Sequence, residues 1–408
     1  MAYTFTPDDV AFLCSRHGEK ALDTVSGLDL TAGSMLADVA EARSRYAPHD
    51  AALIETVALR RRAVTKFREV DDLLLTDDAL QQATTSAVAA NRAAEIAGVH
   101  PGAIVHDVTC SIGAELLELS AQQGIRGVVG SDLDRVRLAM AQHNMRTSAR
   151  PATLLVADAL APATTADVVI ADPARRTGSG RVYRLDALAP PLLDLMMTYA
   201  GRLLVVKCAP GLDYQLLRDR YGFSGEVQVT SLDGGVREAC LWTGPGIRDG
   251  RRATILRTAG DGTITRTEIT DGEPDDVASH GDPGTWIIDP DGAVVRAGLV
   301  RQFAHRHGLW QLDPRIAYLT GDAVPTGARG FRILERTTTG DKALRKALSA
   351  YDCGTLEILV RGLDVDPDRL RKRLRLRGSR SLSLVLTRIG RHGVAFIGEA
   401  GIRGGPIS

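Results

Sequence analysis

The sequence predicts an α/β chain with a doubly wound parallel sheet, preceded by a helical region and followed by a small α+β unit. Between residues 101 and 243, short apolar runs alternate with helical stretches, and this alternation indicates βαβ units. The first 98 residues show helical spacing of their apolar side chains. Residues 330–408 contain a strand, helix, strand, helix, strand, strand pattern, which predicts an α+β fold of ferredoxin-like type.

The length of the chain predicts more than one domain. Its 408 residues correspond to two or three domains at roughly 100–200 residues each. We divide it into a helical N-terminal region (1–98), the sheet domain (99–245), a mixed β-rich connecting region (246–329) and the C-terminal α+β domain (330–408).

Composition excludes several classes of protein. The formal net charge is zero, so whole-chain electrostatics indicates no particular partner. The five cysteines form no C-x-x-C pair, which favours reduced thiols over disulfides or a zinc site. The N-terminus carries acidic residues early and the chain has no run of about 18 apolar residues. We therefore expect a cytoplasmic protein with no membrane association.

Two stretches predict helices in the N-terminal region. Residues 49–67 should form one helix with Val57 and Val64 near its apolar face. Residues 75–98 should form another, with Thr76 and Asp77 as candidate caps. Neither stretch contains a recognisable catalytic set, so this region is expected to be a cap or a substrate platform.

Four aspartates follow the first four predicted strands of the sheet domain. They are Asp107, Asp132, Asp158 and Asp172, separated by 25, 26 and 14 residues. One aspartate after a strand usually caps a helix, but four at one rim are harder to explain in this way. Ligands of doubly wound sheets bind beyond the carboxyl ends of the strands, so the sequence predicts a ligand site there.

The turn after the first strand, "DVTCSIG" (107–113), is built of small residues. Small residues, and above all glycine, are favoured where the backbone approaches a ligand closely. The G-x-G-x-x-G pattern of dinucleotide-binding folds is absent, since Thr109 and Ser111 are not glycines. An NAD(P) enzyme is the alternative for this loop considered alone.

This layout resembles the class I S-adenosylmethionine-dependent methyltransferases, whose catalytic domain is Rossmann-like. "DVTCSIG" is similar to their first motif in its D-x-x-C-G-x-G form, with Ser111 in place of a glycine. The resemblance implies S-adenosylmethionine as the cofactor and assigns a contact to each residue of the rim. The implied cofactor-binding residues are Asp107, Cys110, Ser111 and Gly113 for the methionine portion, Asp132 for the ribose hydroxyls, and Asp158 with Ala159 for adenine.

The fourth strand continues into "ADPARRTGSG", which resembles the [DN]-P-P-[YF] motif of methyltransferases that act on base nitrogen. The catalytic residues implied by this resemblance are Asp172, Pro173 and Arg175. A carboxylate and a backbone carbonyl at this position stabilise positive charge that develops on nitrogen, and an arginine can hold a phosphate or stack on a base. Ala174 departs from the motif, so the target atom stays open.

The strand end "VVKCAP" (205–210) offers a different chemistry. Uracil carbon-5 RNA methyltransferases carry S-C-N-P there, and its cysteine attacks the base. A Cys208 thiolate could be activated by the neighbouring Lys207, although the serine and asparagine of that motif are missing. This enzyme class is one alternative.

The C-terminal domain carries the strongest basic cluster. From residue 361 to 403 there are 11 lysines and arginines against 4 acidic residues, which suits contact with phosphates. The predicted RNA-binding residues are Arg371, Lys372, Arg373, Arg375 and Arg377. Residues 293–308 are predicted to form one helix. We expect no metal site, because His305 and His307, two residues apart on this helix, point to different faces.

The whole chain resembles the bacterial class I methyltransferases with a C-terminal THUMP-like domain. The shared segments include "WIIDPDGAVVRAGL", "LDPRIAYLTGD" and "GFRILER". Because THUMP domains bind tRNA, the resemblance implies methylation of a base in RNA, either tRNA or rRNA. A non-catalytic RNA-binding protein with a vestigial methyltransferase domain is the second alternative.

Overall fold

The computed structural model describes residues 3–175, 188–211, 213–278 and 281–404. The chain divides into two compact units, one formed by residues 1–227 with 237–249 and the other by residues 228–236 with 250–408. The predicted boundaries of the four sequence regions are not tested by this division and stay a prediction.

The first unit begins with a series of helices. They are α1 (Pro7–Leu13), α2 (Arg16–Ser26), α3 (Met35–Tyr46), α4 (Asp50–Ala63), α5 (Asp77–Gln82) and α6 (Ser86–Val99). Thr76 caps α5 as predicted, since its side chain accepts a hydrogen bond from the Ala79 N–H. The predicted helix over 75–98 is two helices, α5 and α6, and Val64 lies outside the core with 60% of its surface exposed.

A mostly parallel sheet follows these helices. Its strands are β1 (Ala103–Asp107), β2 (Ile125–Asp132), β3 (Thr153–Val156), β4 (Val168–Ala171), β7 (Leu203–Cys208) and β9 (Gly235–Thr243), and its helices are α7 (Ala114–Ala121), α8 (Arg135–Thr147), α9 (Leu192–Thr198) and α10 (Tyr214–Tyr221). These six strands lie side by side in the order β9-β7-β4-β1-β2-β3, and among them only β9 runs antiparallel to its neighbour. The chain therefore reverses its direction of winding between β1 and β4, which is where such sheets bind ligands. Two short strands, β5 (Ala174–Arg175) and β6 (Leu188–Ala189), pair antiparallel in a separate two-stranded sheet.

The N-terminal helices share a core with the sheet domain. Ile112 of the first loop and Met140 of α8 are buried in the same cluster as Leu13, Leu53 and Leu74. Two further clusters lie against the sheet, one including Val105 and the other Val169. Burial of these apolar side chains fixes the helical region onto the sheet.

The second unit is richer in strands. They are β8 (Glu226–Leu232), β10 (Gly250–Thr258), β11 (Ile264–Thr270), β12 (Trp286–Asp289), β13 (Trp310–Gln311), β14 (Leu319–Gly321), β15 (Arg329–Thr338), β16 (Cys353–Val360), β17 (Arg380–Ile389), β18 (His392–Glu399) and β19 (Ile402–Arg403). The segment 293–308, expected to be one helix, is two: α11 (Gly292–Arg296) and α12 (Val300–Arg306). Gly298 separates them with φ of 70°, a left-handed conformation that ends a helix.

The C-terminal α+β pattern is confirmed. Helices α13 (Asp341–Ala350) and α14 (Pro367–Leu374) alternate with strands β15, β16, β17 and β18, and both helices pack on one face of that sheet through Leu344, Leu348 and Leu370. Strands β16 and β17 are parallel, whereas β18 pairs antiparallel with β17 and β15. No described helix is both long enough and apolar enough to span a bilayer.

Candidate functional site

Thr109 joins the ends of the two central strands, β1 and β4. Its N–H donates to Asp107 Oδ1 at 3.0 Å, and its Oγ1 accepts from the Asp172 N–H at 2.7 Å. Asp107 is 3% exposed. The first and fourth predicted aspartates are therefore brought together at the point where the winding of the sheet reverses.

The remainder of the loop is fastened to the end of β2. The Ser111 N–H donates to Asp132 Oδ2 at 3.0 Å, and the Cys110 N–H donates to the Ser131 carbonyl at 3.0 Å. Ser111 and Gly113 adopt left-handed conformations with φ of 50° and 82°. Ser111 thus has the backbone of a position that favours glycine, which is the residue the resembled motif has there.

Cys110 differs from the expectation in one respect. Its side chain is buried in a core cluster with Leu116 and Val128, and a Cβ on Gly130 would lie 2.9 Å from its sulfur. The thiol therefore packs the loop onto β2, and the backbone N–H and carbonyl of Cys110 are bonded to Ser131 and Gly113.

Asp132 and Asp158 differ in how they are held. Asp132 Oδ1 also accepts from the Asp134 N–H at 2.9 Å, so the carboxylate is oriented from two sides. Asp158 lies two residues beyond the end of β3, is exposed, and accepts from the Leu160 N–H at 2.9 Å. Ala159 beside it is buried, and its carbonyl accepts from the Tyr199 hydroxyl at 2.7 Å.

Two exposed apolar side chains on this side of the sheet were missed by the sequence reasoning. Leu133, directly after Asp132, is 66% exposed, and Val156 at the end of β3 is 50% exposed. Both lie at the ends of strands, at the edge where a doubly wound sheet binds ligands, so they are available to pack against a ligand.

Asp172 is paired with Lys207, the fifth residue of β7. The Lys207 ammonium lies 2.5 Å from Asp172 Oδ2, and the side chains are 10% and 39% exposed, respectively. The pKa of Lys207 is raised well above its usual value: burial lowers it, but the carboxylates of Asp172, Glu115 and Glu238 outweigh burial. Sequence reasoning considered this lysine only as a neighbour of Cys208.

The environment of Cys208 does not favour a thiolate. Burial, together with the carboxylates of Asp172 and Glu238, raises the pKa of its thiol to about 12. The ammonium of Lys207, which the alternative requires to activate the thiol, is engaged by Asp172. A nucleophilic cysteine requires a lowered pKa, so the geometry disfavours the uracil carbon-5 alternative.

Arg92 of α6 forms a buried ion-pair network with Glu115 of α7 and Glu238 of β9. It is 2% exposed, donates to Glu115 Oε1 at 2.6 Å, and donates through its other terminal nitrogen to Glu238 Oε1. The Thr84 hydroxyl donates to Glu238 Oε2 at 3.0 Å. The two carboxylates hold the pKa of Arg92 well above its usual value despite burial. An arginine within the alanine-rich "AANRAAE" is the sequence signal that could have found it.

The loop has polar atoms that fit a ligand. Ser111 Oγ and Glu115 Oε2 are buried and have no hydrogen-bond partner among the described residues. Burial raises the pKa of Asp107 to about 7, with Glu115 and Asp172 adding to the effect and the Thr109 N–H and Lys207 opposing it. Buried polar atoms are nearly always paired, so this set suits a ligand that brings hydrogen-bond donors and positive charge.

The predicted basic cluster divides into paired and unpaired cations. Arg371 lies 2.5 Å from Asp368, and Arg373 lies 2.8 Å from Asp341. Lys372, Arg375 and Arg377 are exposed, and no described carboxylate lies within ion-pair distance of them. Helix α14 ends at Leu374 with Arg375 left-handed at φ of 51°, so the last two of these cations lie beyond the helix.

Some predicted positions have little described structure. The backbone of Arg175 lies in β5, but its side chain is outside the described residues, as are Arg176 and the rest of "RTGSG".

His305 lies 2.9 Å from Asp276. Over residues 3–175, 188–211, 213–278 and 281–404, no three His, Cys, Asp or Glu side chains are arranged to hold a metal ion.

Family models match both ends of the chain. A THUMP domain-like model matches residues 328–400, and a model for a domain of unknown function matches residues 6–63. A crystal structure from Porphyromonas gingivalis W83, of a protein assigned as a methyltransferase, covers 98% of this chain and 100% of its own with TM-score 0.73 at 18% identity. This likeness shows a shared fold over nearly the whole length.

Two curated relatives are similar in sequence. Both are uncharacterized S-adenosylmethionine-dependent methyltransferases of Mycobacterium tuberculosis, from strains CDC 1551 / Oshkosh and ATCC 25618 / H37Rv. Each is 51% identical over 358 residues, which is 85% of this chain and 95% of the relative. The chain therefore belongs to the S-adenosylmethionine-dependent methyltransferases, with S-adenosylmethionine as its cofactor and a THUMP-like domain at its C-terminus.

Proposed function

We propose that this methyltransferase modifies a base nitrogen in RNA, tRNA or rRNA, with the cofactor seated on the loop 107–113. The observation that carries the proposal is Thr109, whose hydrogen bonds tie Asp107 to Asp172. The residue proposed to meet the methyl acceptor is thereby fixed beside the loop proposed to hold the methyl donor. S-adenosylmethionine, when bound, supplies an electrophilic methyl group on a sulfonium.

The cofactor assignment rests on the chemistry of the rim. Asp107, Ser111 and Gly113 face the methionine end, because this loop combines an unpaired buried hydroxyl with a buried carboxyl group. Asp132 binds the ribose hydroxyls, since both its oxygens are already oriented by backbone N–H groups. Leu133 and Val156 would pack against the adenine ring, and Asp158 with Ala159 would hold its amino group.

The acceptor side uses the Asp172–Pro173 turn. Lys207 fixes one carboxylate oxygen of Asp172, and the other oxygen accepts a hydrogen bond from a base amino or ring N–H. The buried acids around it (Asp107, Glu115 and Glu238) outnumber the cations Arg92 and Lys207. An environment with excess negative charge stabilises a nitrogen that becomes positive as the methyl group arrives.

RNA is supported by the C-terminal domain. Its THUMP-like match covers residues 328–400, and Lys372, Arg375 and Arg377 present three exposed, unpaired cations close together in sequence. Such a cluster gives affinity for a phosphate backbone without reading sequence. Arg371 and Arg373 are proposed to shape this surface through Asp368 and Asp341 more than to touch RNA.

We expect cofactor affinity to rise with pH through the titration of Asp107. Its pKa of about 7 lies above the usual value, and a cationic ligand favours the carboxylate, so binding releases a proton. Kd should fall as pH rises from 5.5 to 7.5, by up to about tenfold per unit below the pKa. Calorimetry in buffers of different ionisation enthalpy measures the proton release, which Asp107→Asn should abolish. Equal heats in all buffers for the wild type would contradict the assignment.

Asp172→Ala should remove methyl transfer and spare cofactor binding. We expect transfer of labelled methyl into RNA from a deletion strain to fall on the order of 10²-fold, as when a transition-state charge partner is lost. S-adenosylmethionine Kd should change less than about threefold, because the Asp172 backbone bond to Thr109 does not need the side chain.

Cys208→Ala is the matched control for this experiment. It should keep most of the activity, since the thiol is protonated near neutral pH. Complete loss in Cys208→Ala, with a covalent RNA adduct trapped by the wild type, would establish uracil carbon-5 chemistry instead.

Replacing Lys372, Arg375 and Arg377 by Gln should flatten the salt dependence of RNA binding. Each phosphate contact on a single strand contributes a slope of about −0.7 in log K against log salt, so loss of three contacts changes the slope by about two units. The control variant, Arg371→Gln with Arg373→Gln, should change it by less than one unit, because both side chains are already paired. Filter binding with tRNA from a deletion strain measures the salt slopes of both variants. An equal effect of the two variants would contradict the distinction between paired and unpaired cations.

A further inference from the structure

We propose that Glu115 is a second acidic residue for the cofactor, and that its free carboxylate oxygen accepts a hydrogen bond from the ammonium group at the methionine end. This inference rests on the proposed seat of the cofactor on the loop 107–113. It assigns a cofactor contact to the first turn of α7, beyond the loop itself.

The position of Glu115 follows from the loop. It is the second residue of α7, two residues after Gly113, whose left-handed turn (φ 82°) begins the helix. Glu115 therefore lies in the first turn of the helix that begins directly at the end of the loop. Its carboxylate also lies close enough to Asp107 to raise the pKa of that group.

The hydrogen bonds of Glu115 are incomplete. Oε1 accepts from Arg92 at 2.6 Å, whereas Oε2 is buried without a partner among the described residues, in a side chain only 6% exposed. A buried acceptor left unpaired is destabilising, and more so for a charged group. Arg92 offsets the charge of the carboxylate but does not satisfy its second oxygen.

An ammonium group fits the unmet requirement. It has three N–H donors and carries a positive charge, so it can serve Glu115 Oε2 and Asp107 together. A hydroxyl or amide would satisfy one oxygen without offsetting the negative charge of two neighbouring carboxylates. The alternative interpretation is that Glu115 serves only as an ion-pair partner of Arg92.

Two ligands separate these roles. S-adenosylhomocysteine carries the ammonium, whereas 5′-methylthioadenosine has the same adenosine and thioether but lacks the amino-acid end. In calorimetry, Glu115→Gln should weaken S-adenosylhomocysteine by about tenfold or more, which is about 1.4 kcal/mol. The same substitution should change the affinity for 5′-methylthioadenosine by less than about twofold. The ratio of the two affinities is insensitive to the folded fraction of a preparation.

Two variants provide matched controls. Glu238→Gln removes the other carboxylate partner of Arg92, and Glu118→Gln alters a buried glutamate one turn along α7. Both should leave the affinity ratio within about twofold of the wild type. If Glu115→Gln does not fold, Glu115→Asp, which withdraws the carboxylate by one methylene, is measured in its place and should shift the ratio in the same direction.

The outcomes distinguish a failure of the proposed role of Glu115 from a failure of the proposed function. Equal weakening of both ligands by Glu115→Gln, or of neither, would overturn the role of Glu115 while leaving the proposed seat intact. The same ratio shift in Glu238→Gln would reduce Glu115 to a partner of Arg92. A wild-type protein that binds neither ligand would overturn the proposed function itself.

Discussion

The buried arginine Arg92 is the interaction on which the rest of the site depends. Its guanidinium joins α6, one of the N-terminal helices, to Glu115 of α7 and to Glu238 of β9. Removing one partner from a buried ion pair costs about 3–5 kcal/mol, because a charge is left unpaired in a poorly solvated interior. Burial lowers the pKa of Lys207, but the carboxylate of Asp172, with which it pairs, raises it further than that, and Glu115 and Glu238 add to the effect. Stability and the geometry of the acceptor side are thus linked through a few buried charges.

The charges have different tasks at the two ends of the proposed site. At the cofactor end, burial raises the pKa of Asp107 to about 7. A cationic ligand can therefore change the charge of this group near neutral pH. At the acceptor end, the Lys207 ammonium holds one carboxylate oxygen of Asp172. Thr109 hydrogen-bonds to both aspartates, so the two ends keep a fixed separation. This rigidity suits a transfer reaction, in which donor and acceptor must be aligned before reaction.

The sequence predicted the parts of this structure that depend on local pattern. Strand ends at Asp107 and Asp132 were predicted because apolar runs and turn residues lie next to each other in the chain. The ion pairs could not be predicted, since Arg92 meets partners 23 and 146 residues away. For the same reason the sequence did not separate Arg373, paired with Asp341 at a distance of 32 residues, from the unpaired cations beside it. Gly298 dividing a helix was a local signal that was overlooked.

The central claim, that the carboxyl edge of this sheet seats the cofactor, is tested most directly by calorimetry with S-adenosylhomocysteine on two aspartate variants. Asp132→Ala removes the carboxylate proposed for the ribose hydroxyls, and hydrogen bonds to a charged group contribute about 1.5–3 kcal/mol. Asp134→Ala, two residues on, removes the cap of α8 and an ion pair with Arg137, but it keeps the backbone N–H that donates to Asp132. The account predicts at least about tenfold weaker binding for Asp132→Ala and less than about twofold change for Asp134→Ala. Equal affinities of Asp132→Ala and the wild type would contradict it.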